Sequence, residues 1–178
     1  MRKLLLVVLI FVSTNLALSL SNAAFSQTPM QVVKTGGFTI PVYNFNNLEP
    51  ILNRANDTLY IYNFWATWCI PCVEEMPAFL QLDSAMREQP VKLVLVSMDA
   101  KSKIESNLIP FLKKNNVKPQ VLVLSDPDAN AWINKVSPDW SGTIPATLFV
   151  YGKKKIFMER EFTYPELYQT VLDIKKQQ

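Results

Sequence analysis

Apolar positions along this chain follow two rhythms. Unbroken runs of β-branched and aromatic residues mark buried strands at 58–65 and at 91–98, where "VKLVLVSM" is the clearest central strand. Between the runs the apolar residues recur at helical spacing. Phe45, Leu48, Ile51 and Leu52 predict a helix over 45–55, shortened by Pro50. A helix over 69–87 follows the first long strand. Ile104, Leu108, Ile109, Phe111 and Leu112 predict another over 102–115, kinked at Pro110. Shorter strands are expected at 38–42 and 121–124. A helix is expected over 127–136, with Asp126 as N-cap and Pro127 at its first position. Strands at 146–151 and 156–162 flank "GKKK", a hairpin signal, and an amphipathic helix over 164–176 closes the chain. Residues 25–34 show no period and read as an extended lead-in. Strand–helix units followed by a terminal hairpin and helix predict an α/β fold, a central mixed β-sheet flanked by helices on both faces.

The length of 178 residues fits one domain behind a targeting segment. A hydrophobic share of 49% against 19% charged excludes a disordered chain. A domain of about 150 residues buries enough apolar surface to stand without staples, so the two cysteines are not needed to hold it together. The N-terminus has the form of an export signal: Arg2 and Lys3, an apolar run over 4–12, then Ser21-Asn22-Ala23-Ala24 for cleavage after Ala23 or Ala24. Ser13, Thr14, Asn15 and Ser19 break the apolar stretch before the roughly 20 residues that span a bilayer, although an uncleaved anchor is the alternative. No cysteine stands near the cleavage site, which excludes a lipid-anchored lipoprotein. The chain thus divides into a signal peptide at 1–24, a lead-in at 25–37 and a domain at 38–178, in the periplasm or cell envelope. Losing Arg2 and Lys3 leaves 16 basic against 15 acidic residues of the original 18 and 15. So balanced a surface offers no electrostatic case for nucleic acid or an anionic membrane. The lysines at 113–114, 153–155 and 175–176 read as solvated ends and turns.

Against that background "FWATWCIPCVEEMP" stands out, because it holds the two cysteines of the whole chain. Cys69 and Cys72 lie three residues apart at a strand-to-helix junction. One helical turn separates their Cα atoms by about 5 Å, inside the window for a disulfide that opens and closes with little backbone movement. Cys69 stands where the first free N–H groups of the helix point outward, which favours a thiolate and lowers its pKa. Cys72, a turn deeper, is less favoured as an anion. Cys69 therefore reads as the attacking sulfur and Cys72 as the one that resolves a mixed disulfide. Pro71 lies in the first turn, where its missing N–H matters little, and Pro77 should kink the helix below the site. A zinc site wants four ligands, and the chain has two cysteines and no histidine. A copper site, a structural disulfide across a tiny loop and a single-cysteine peroxide reductase are weaker alternatives that remain open. No metal or other cofactor is expected beyond the dithiol itself.

"YNFWATWCIPCVEEMP" resembles the active-site stretch of thioredoxin-like proteins, and its form is most similar to the TlpA/ResA-like branch of exported thiol-disulfide oxidoreductases. A second stretch, "GTIPATLFV" over 142–150, resembles the loop that carries a cis-proline opposite the cysteines. The resemblance implies a thioredoxin-like fold with a small strand–helix insertion, Cys69 as nucleophile, Cys72 as resolving thiol and Pro145 in cis. It implies that the backbone at Ile144 pairs with an extended partner segment. The partner surface would then comprise Trp68, Ile70, Pro71, Thr143, Ile144 and Pro145. Trp68 would form an apolar rim that excludes water from the mixed disulfide, with Trp65 packed beneath and Trp140 either across the groove or in the core. Many thioredoxins carry a proton-accepting Asp where this chain has Asn63; the branch often pairs an Asn there with a Glu matching Glu75, which could titrate Cys72. The alternative is that Glu74 and Glu75 only complement the helix dipole. The family role implies partners that are protein thiols or disulfides, an upstream electron donor at the membrane, a monomer, and reduction more than oxidation. A non-catalytic binding module and a metal chaperone on the same fold are the rival functions.

Overall fold

The computed structural model describes residues 27–176, so the expected signal peptide lies outside the described residues. Seven strands form one sheet in the order β1-β2-β5-β4-β3-β6-β7. They are β1 (Gln31–Thr35), β2 (Phe38–Tyr43), β3 (Leu59–Trp65), β4 (Val91–Ser97), β5 (Gln120–Leu124), β6 (Ala146–Tyr151) and β7 (Lys154–Met158). Strands β2, β5, β4 and β3 run parallel, whereas β1, β6 and β7 pair antiparallel to their neighbours. Helices α1 (Phe45–Leu52), α2 (Ile70–Ala85), α3 (Ile109–Lys114), α4 (Ala129–Val136) and α5 (Tyr164–Lys176) cover it.

Two-residue alternation divides the core. On β3, Leu59, Ile61 and Trp65 face one layer with Leu93 and Leu95 of β4, under α2, α3 and α5. Tyr62 and Phe64 face the other layer with Val94 and Val96, under α1 and α4. Both faces being buried explains why these strands read as continuous apolar runs. Asn63 shares the α2 face with Ile61 and Trp65, so one polar residue is forced into the layer that also holds Cys69 and Cys72.

Four elements depart from the sequence expectation. The unpatterned lead-in contains β1, which pairs with β2 from Gln31↔Val42 to Thr35↔Phe38. Gly36 and Gly37, at φ +59° and +85°, make the two-residue turn that only residues tolerant of positive φ adopt readily. The expected helix over 102–115 is a 3₁₀ turn (Lys101–Lys103), a π turn (Ile104–Leu108) and then α3. Pro110 opens α3 in place of kinking a longer helix; its ring would meet the carbonyl four residues back in a regular α-helix, and the wider turn before it relieves that. Asp126 does not cap α4, and Pro127 is not in it; Asp128 holds the cap position. The Asp126 carboxylate instead accepts the backbone N–H of Asp128 at 3.2 Å and, from 81 residues away, that of Phe45 at 3.0 Å, adding to the N-cap of α1, where Asn44 Oδ1 accepts the Asn47 N–H at 3.0 Å. The last strand begins at Lys154 and ends at Met158, because a two-residue turn at Gly152 (φ +58°) and Lys153 suffices. Lys154 and Lys155 therefore sit in an edge strand and not in a turn.

Candidate active site

The site is built where β3 ends and α2 begins. Met98 donates its N–H to the Trp65 carbonyl at 2.7 Å, extending the β3–β4 ladder to the end of the strand. The next residues are pinned by Asp99, which is buried and accepts from Thr67 N at 3.1 Å, Thr67 Oγ1 at 2.5 Å and Ser97 Oγ at 2.8 Å. Cys69 N then donates to the Ala66 carbonyl at 3.2 Å, which closes the turn into the helix. Cys69 is the N-cap of α2: its Sγ accepts the Cys72 N–H at 3.3 Å, and Pro71 sits in the first turn. The sulfur thus occupies the anion-favouring end of the helix.

Cys69 and Cys72 are joined as a disulfide with Cα atoms 5.3 Å apart. In this form Cys69 is 5% exposed and Cys72 is fully buried, so the outer sulfur is less open than the sequence suggests. What projects around it is apolar: Trp68 is 65% exposed and Ile70 72%. Pro71 is half-buried beside them. Trp65 lies wholly within the core, its ring 5.0 Å from that of Phe111.

Facing the cysteines is the loop that enters β6. The Ile144–Pro145 peptide is cis, Pro145 is buried, Ile144 is half-buried and Thr143 is exposed. The Ile144 carbonyl oxygen lies 3.6 Å from Cys69 Sγ, a contact that a thiol would turn into a weak hydrogen bond. Trp140 belongs to the core and not to the groove. It packs against Phe64, Trp132 and Phe157, and its indole N–H donates to the Thr143 carbonyl at 2.7 Å.

Under α2 lies a buried polar cluster. Asn63 of β3 and Thr147 of β6 are registered partners across the sheet, and Asn63 Nδ2 donates to Thr147 Oγ1 at 3.2 Å and to Glu75 Oε1 at 2.9 Å. The other Glu75 oxygen accepts the Phe162 N–H at 2.9 Å. Asn63 Oδ1 is buried without a hydrogen-bond partner. Burial pushes the Glu75 carboxyl up to about 7, and the bonds from Asn63 and Phe162 only partly oppose it. Glu74 is exposed; Glu75, one turn past Cys72, points inward. A cleft of about 560 Å³ reaches Glu75 between α2 and α5, bordered by Glu74, Ala78, Phe162 and Tyr164.

The sequence-selected residues therefore gather at one end of the sheet, with Glu75 below the Cys69–Cys72 disulfide and the other six around it. Sequence reasoning missed Asp99, Thr147 and Glu159. An acid just past a central parallel strand was a usable signal for Asp99. Thr147 and Glu159 have no local signature, because strand register alone brings them in.

Residues 38–157 match the model of the AhpC/TSA family. A thiol-disulfide oxidoreductase ResA of Oceanobacillus iheyensis is 51% identical over 37 residues, 21% of this chain and 19% of that protein. The ResA of Geobacillus thermodenitrificans is 27% identical over 145 residues, 78% of each. The solved structure of a thiol:disulfide interchange protein from Chlorobium tepidum superposes with a TM-score of 0.59 at 18% identity, covering 87% of this chain and 99% of that one, a likeness of fold.

Proposed function

This chain belongs to the AhpC/TSA family, and on that footing we propose that it is an exported thiol-disulfide oxidoreductase that reduces disulfides in partner proteins. The observation that carries the reading is the placement of Cys69 Sγ at the N-terminus of α2, where it accepts the Cys72 N–H, with Cys72 joined to it one turn deeper. Reduced Cys69 attacks one sulfur of the partner's disulfide as a thiolate. The partner's other sulfur leaves, takes a proton and becomes a thiol. Cys72 then loses its proton and attacks Cys69 Sγ, which releases the partner's second thiol and closes the Cys69–Cys72 disulfide. Two electrons have passed to the partner, and a dithiol donor at the membrane restores the pair.

Glu75 is the group proposed to take the Cys72 proton. A carboxyl held near 7 can change protonation state at neutral pH, which an ordinary one cannot. Trp68, Ile70 and Pro71 supply the apolar surface against which the partner excludes water, and Thr143, Ile144 and Pro145 supply the backbone along which its segment lies. Export rests on Arg2, Lys3, the apolar run and the small residues at 21–24; among the described residues no helix is long and apolar enough to cross a membrane.

The test is covalent capture. In Cys72→Ser the mixed disulfide with Cys69 cannot be resolved, so partner proteins are expected to accumulate as adducts that dithiothreitol releases. Alkylation of Cys69 at neutral pH no faster than an ordinary free cysteine would sink the mechanism. Equilibration with glutathione buffers should give a potential below about −200 mV, toward the thioredoxin end of the range; a value near −120 mV would reverse the direction of electron flow.

A further inference from the structure

Glu159 stands immediately after β7, on the hairpin that carries β6, and its carboxylate is wrapped by the loop before Pro145. Its Oε2 accepts the Ser141 N–H at 2.9 Å. Its Oε1 accepts the Thr143 N–H at 3.3 Å and the hydroxyls of both Ser141 and Thr143. Gly142, at φ +94°, makes the turn that lets its two neighbours aim their donors at one carboxylate; a Cβ there would come within 2.9 Å of Ile133 Cδ1. From beneath, Trp140 Nε1 donates to the Thr143 carbonyl. Both backbone polar groups of Thr143 are thus engaged inside the protein. The next residue is Ile144, whose carbonyl faces Cys69 Sγ.

We propose that Glu159 is a positioning residue for partner binding, which by holding Ser141 and Thr143 sets the Ile144 backbone in register for an extended partner segment at Cys69. Two observations carry this. The carboxylate comes from beyond β7, so the loop, whose Thr143 N–H also donates within it to Ser141 Oγ at 3.4 Å, is tied to a segment distant in sequence. The loop it holds is the one that meets the attacking sulfur. The brace also persists across pH: although burial acts to raise Glu159, the hydrogen bonds from Ser141 and Thr143 hold it down at about 2, so it stays charged wherever the protein works. Half-buried Glu159 accepts four hydrogen bonds from a loop of three residues, which gives it a geometric task.

The inference rests on the disulfide-reductase reading, so its test uses two substrates. Glu159→Ala is measured against insulin, whose chains must dock in the groove, and against 5,5′-dithiobis(2-nitrobenzoic acid), which needs no peptide pairing. KM for insulin should rise about tenfold, with kcat and the rate on the small disulfide within about twofold of wild type. Glu159→Gln, which keeps an acceptor oxygen without the charge, should fall between. Ser141→Ala removes one arm of the brace, and its effect on KM should not add to that of Glu159→Ala. Equal loss on both substrates, no loss on insulin, or additivity of the two substitutions would each overturn the proposal. If Glu159→Ala fails to give a cooperative melt, Glu159→Gln and Ser141→Ala decide the matter by the same KM shift. Wild-type protein that reduces neither substrate would sink the exchange reading itself, whereas a wild-type reductase insensitive at position 159 would sink this inference alone.

Discussion

Glu75→Gln removes one ionisation and leaves the shape of the site intact. The amide oxygen can still accept the Phe162 N–H. The amide nitrogen then faces Asn63, whose Oδ1 is without a partner and can accept once that side chain turns over. The structure also sets a magnitude. Lifting a carboxyl from its ordinary 4.5 to about 7 corresponds to about 3 kcal/mol at 1.36 kcal/mol per tenfold. The sign follows from proton counting. Between those two pH values the folded protein holds the proton more firmly than the unfolded chain, so stability falls as pH rises. The contribution is fully present below about pH 4.5, is lost as the pH climbs to about 7, and stays lost above it. Urea unfolding of the oxidised protein, run from about pH 4 to about pH 8.5, reads this directly. The difference between wild type and Glu75→Gln should be near zero at the acid end. The variant should be the more stable by about 3 kcal/mol above pH 7. Two parallel curves across that window would mean that Glu75 ionises normally and that burial by α2 and Phe162 does not control it, which would also remove the proposed acceptor for the Cys72 proton.

Three further substitutions separate scaffold from site. Asp99→Ala strands the half-buried donors of Thr67 and the buried hydroxyl of Ser97 and should lower unfolding free energy by about 2–4 kcal/mol, with faster proteolysis of the segment before Cys69. Trp140→Phe keeps the ring contacts but loses the bond to the Thr143 carbonyl; chemical denaturation should show a loss of about 1 kcal/mol, and a much larger loss would mean that the indole is chiefly a packing element. Trp68→Ala should leave the unfolding midpoint in place, within about 0.5 kcal/mol, yet raise KM for a protein disulfide about tenfold; a drop in stability would show that Trp68 belongs to the core.

The parts of this protein legible in its sequence are those whose physics is local. Strands β3 and β4 announce themselves because burial on both faces leaves them few polar positions, Asn63 on β3 and Lys92 and Ser97 on β4. The Cys69–Cys72 pair is legible because a strand end, a helix start and a one-turn spacing are all properties of one stretch. The long-range bond onto α1 is not, because Asp126 reaches the Phe45 N–H across 81 residues and nothing near either residue records the meeting. Strand β1 was hidden for a different reason: it is an edge strand whose exposed face carries the apolar Val32 beside half-buried Val33, so its sequence does not alternate. Its clue was the Gly36-Gly37 pair, a hairpin signal without a convincing strand before it. Thr147 and Glu159 lie on the far hairpin, and register with β3 and β6 brings them to the site. Residue type at those positions carries no sign of it.

The joint between β2 and β5 has a consequence of its own. It comprises two registered pairs, Val42↔Val123 and Tyr43↔Leu124, with the Ser125 N–H closing on the Tyr43 carbonyl at 2.8 Å. The β1–β2 hairpin is thus fastened to the parallel core over a short seam, and Asp126 bolts α1 down at the same corner. Were that corner to fray, the flank of β5 would be bared: an apolar, unpaired ribbon edge of the sort on which chains stack into aggregates. The small N-terminal hairpin therefore serves as a guard strip, and keeping it closed protects the solubility of a molecule whose chemistry lies several strands away.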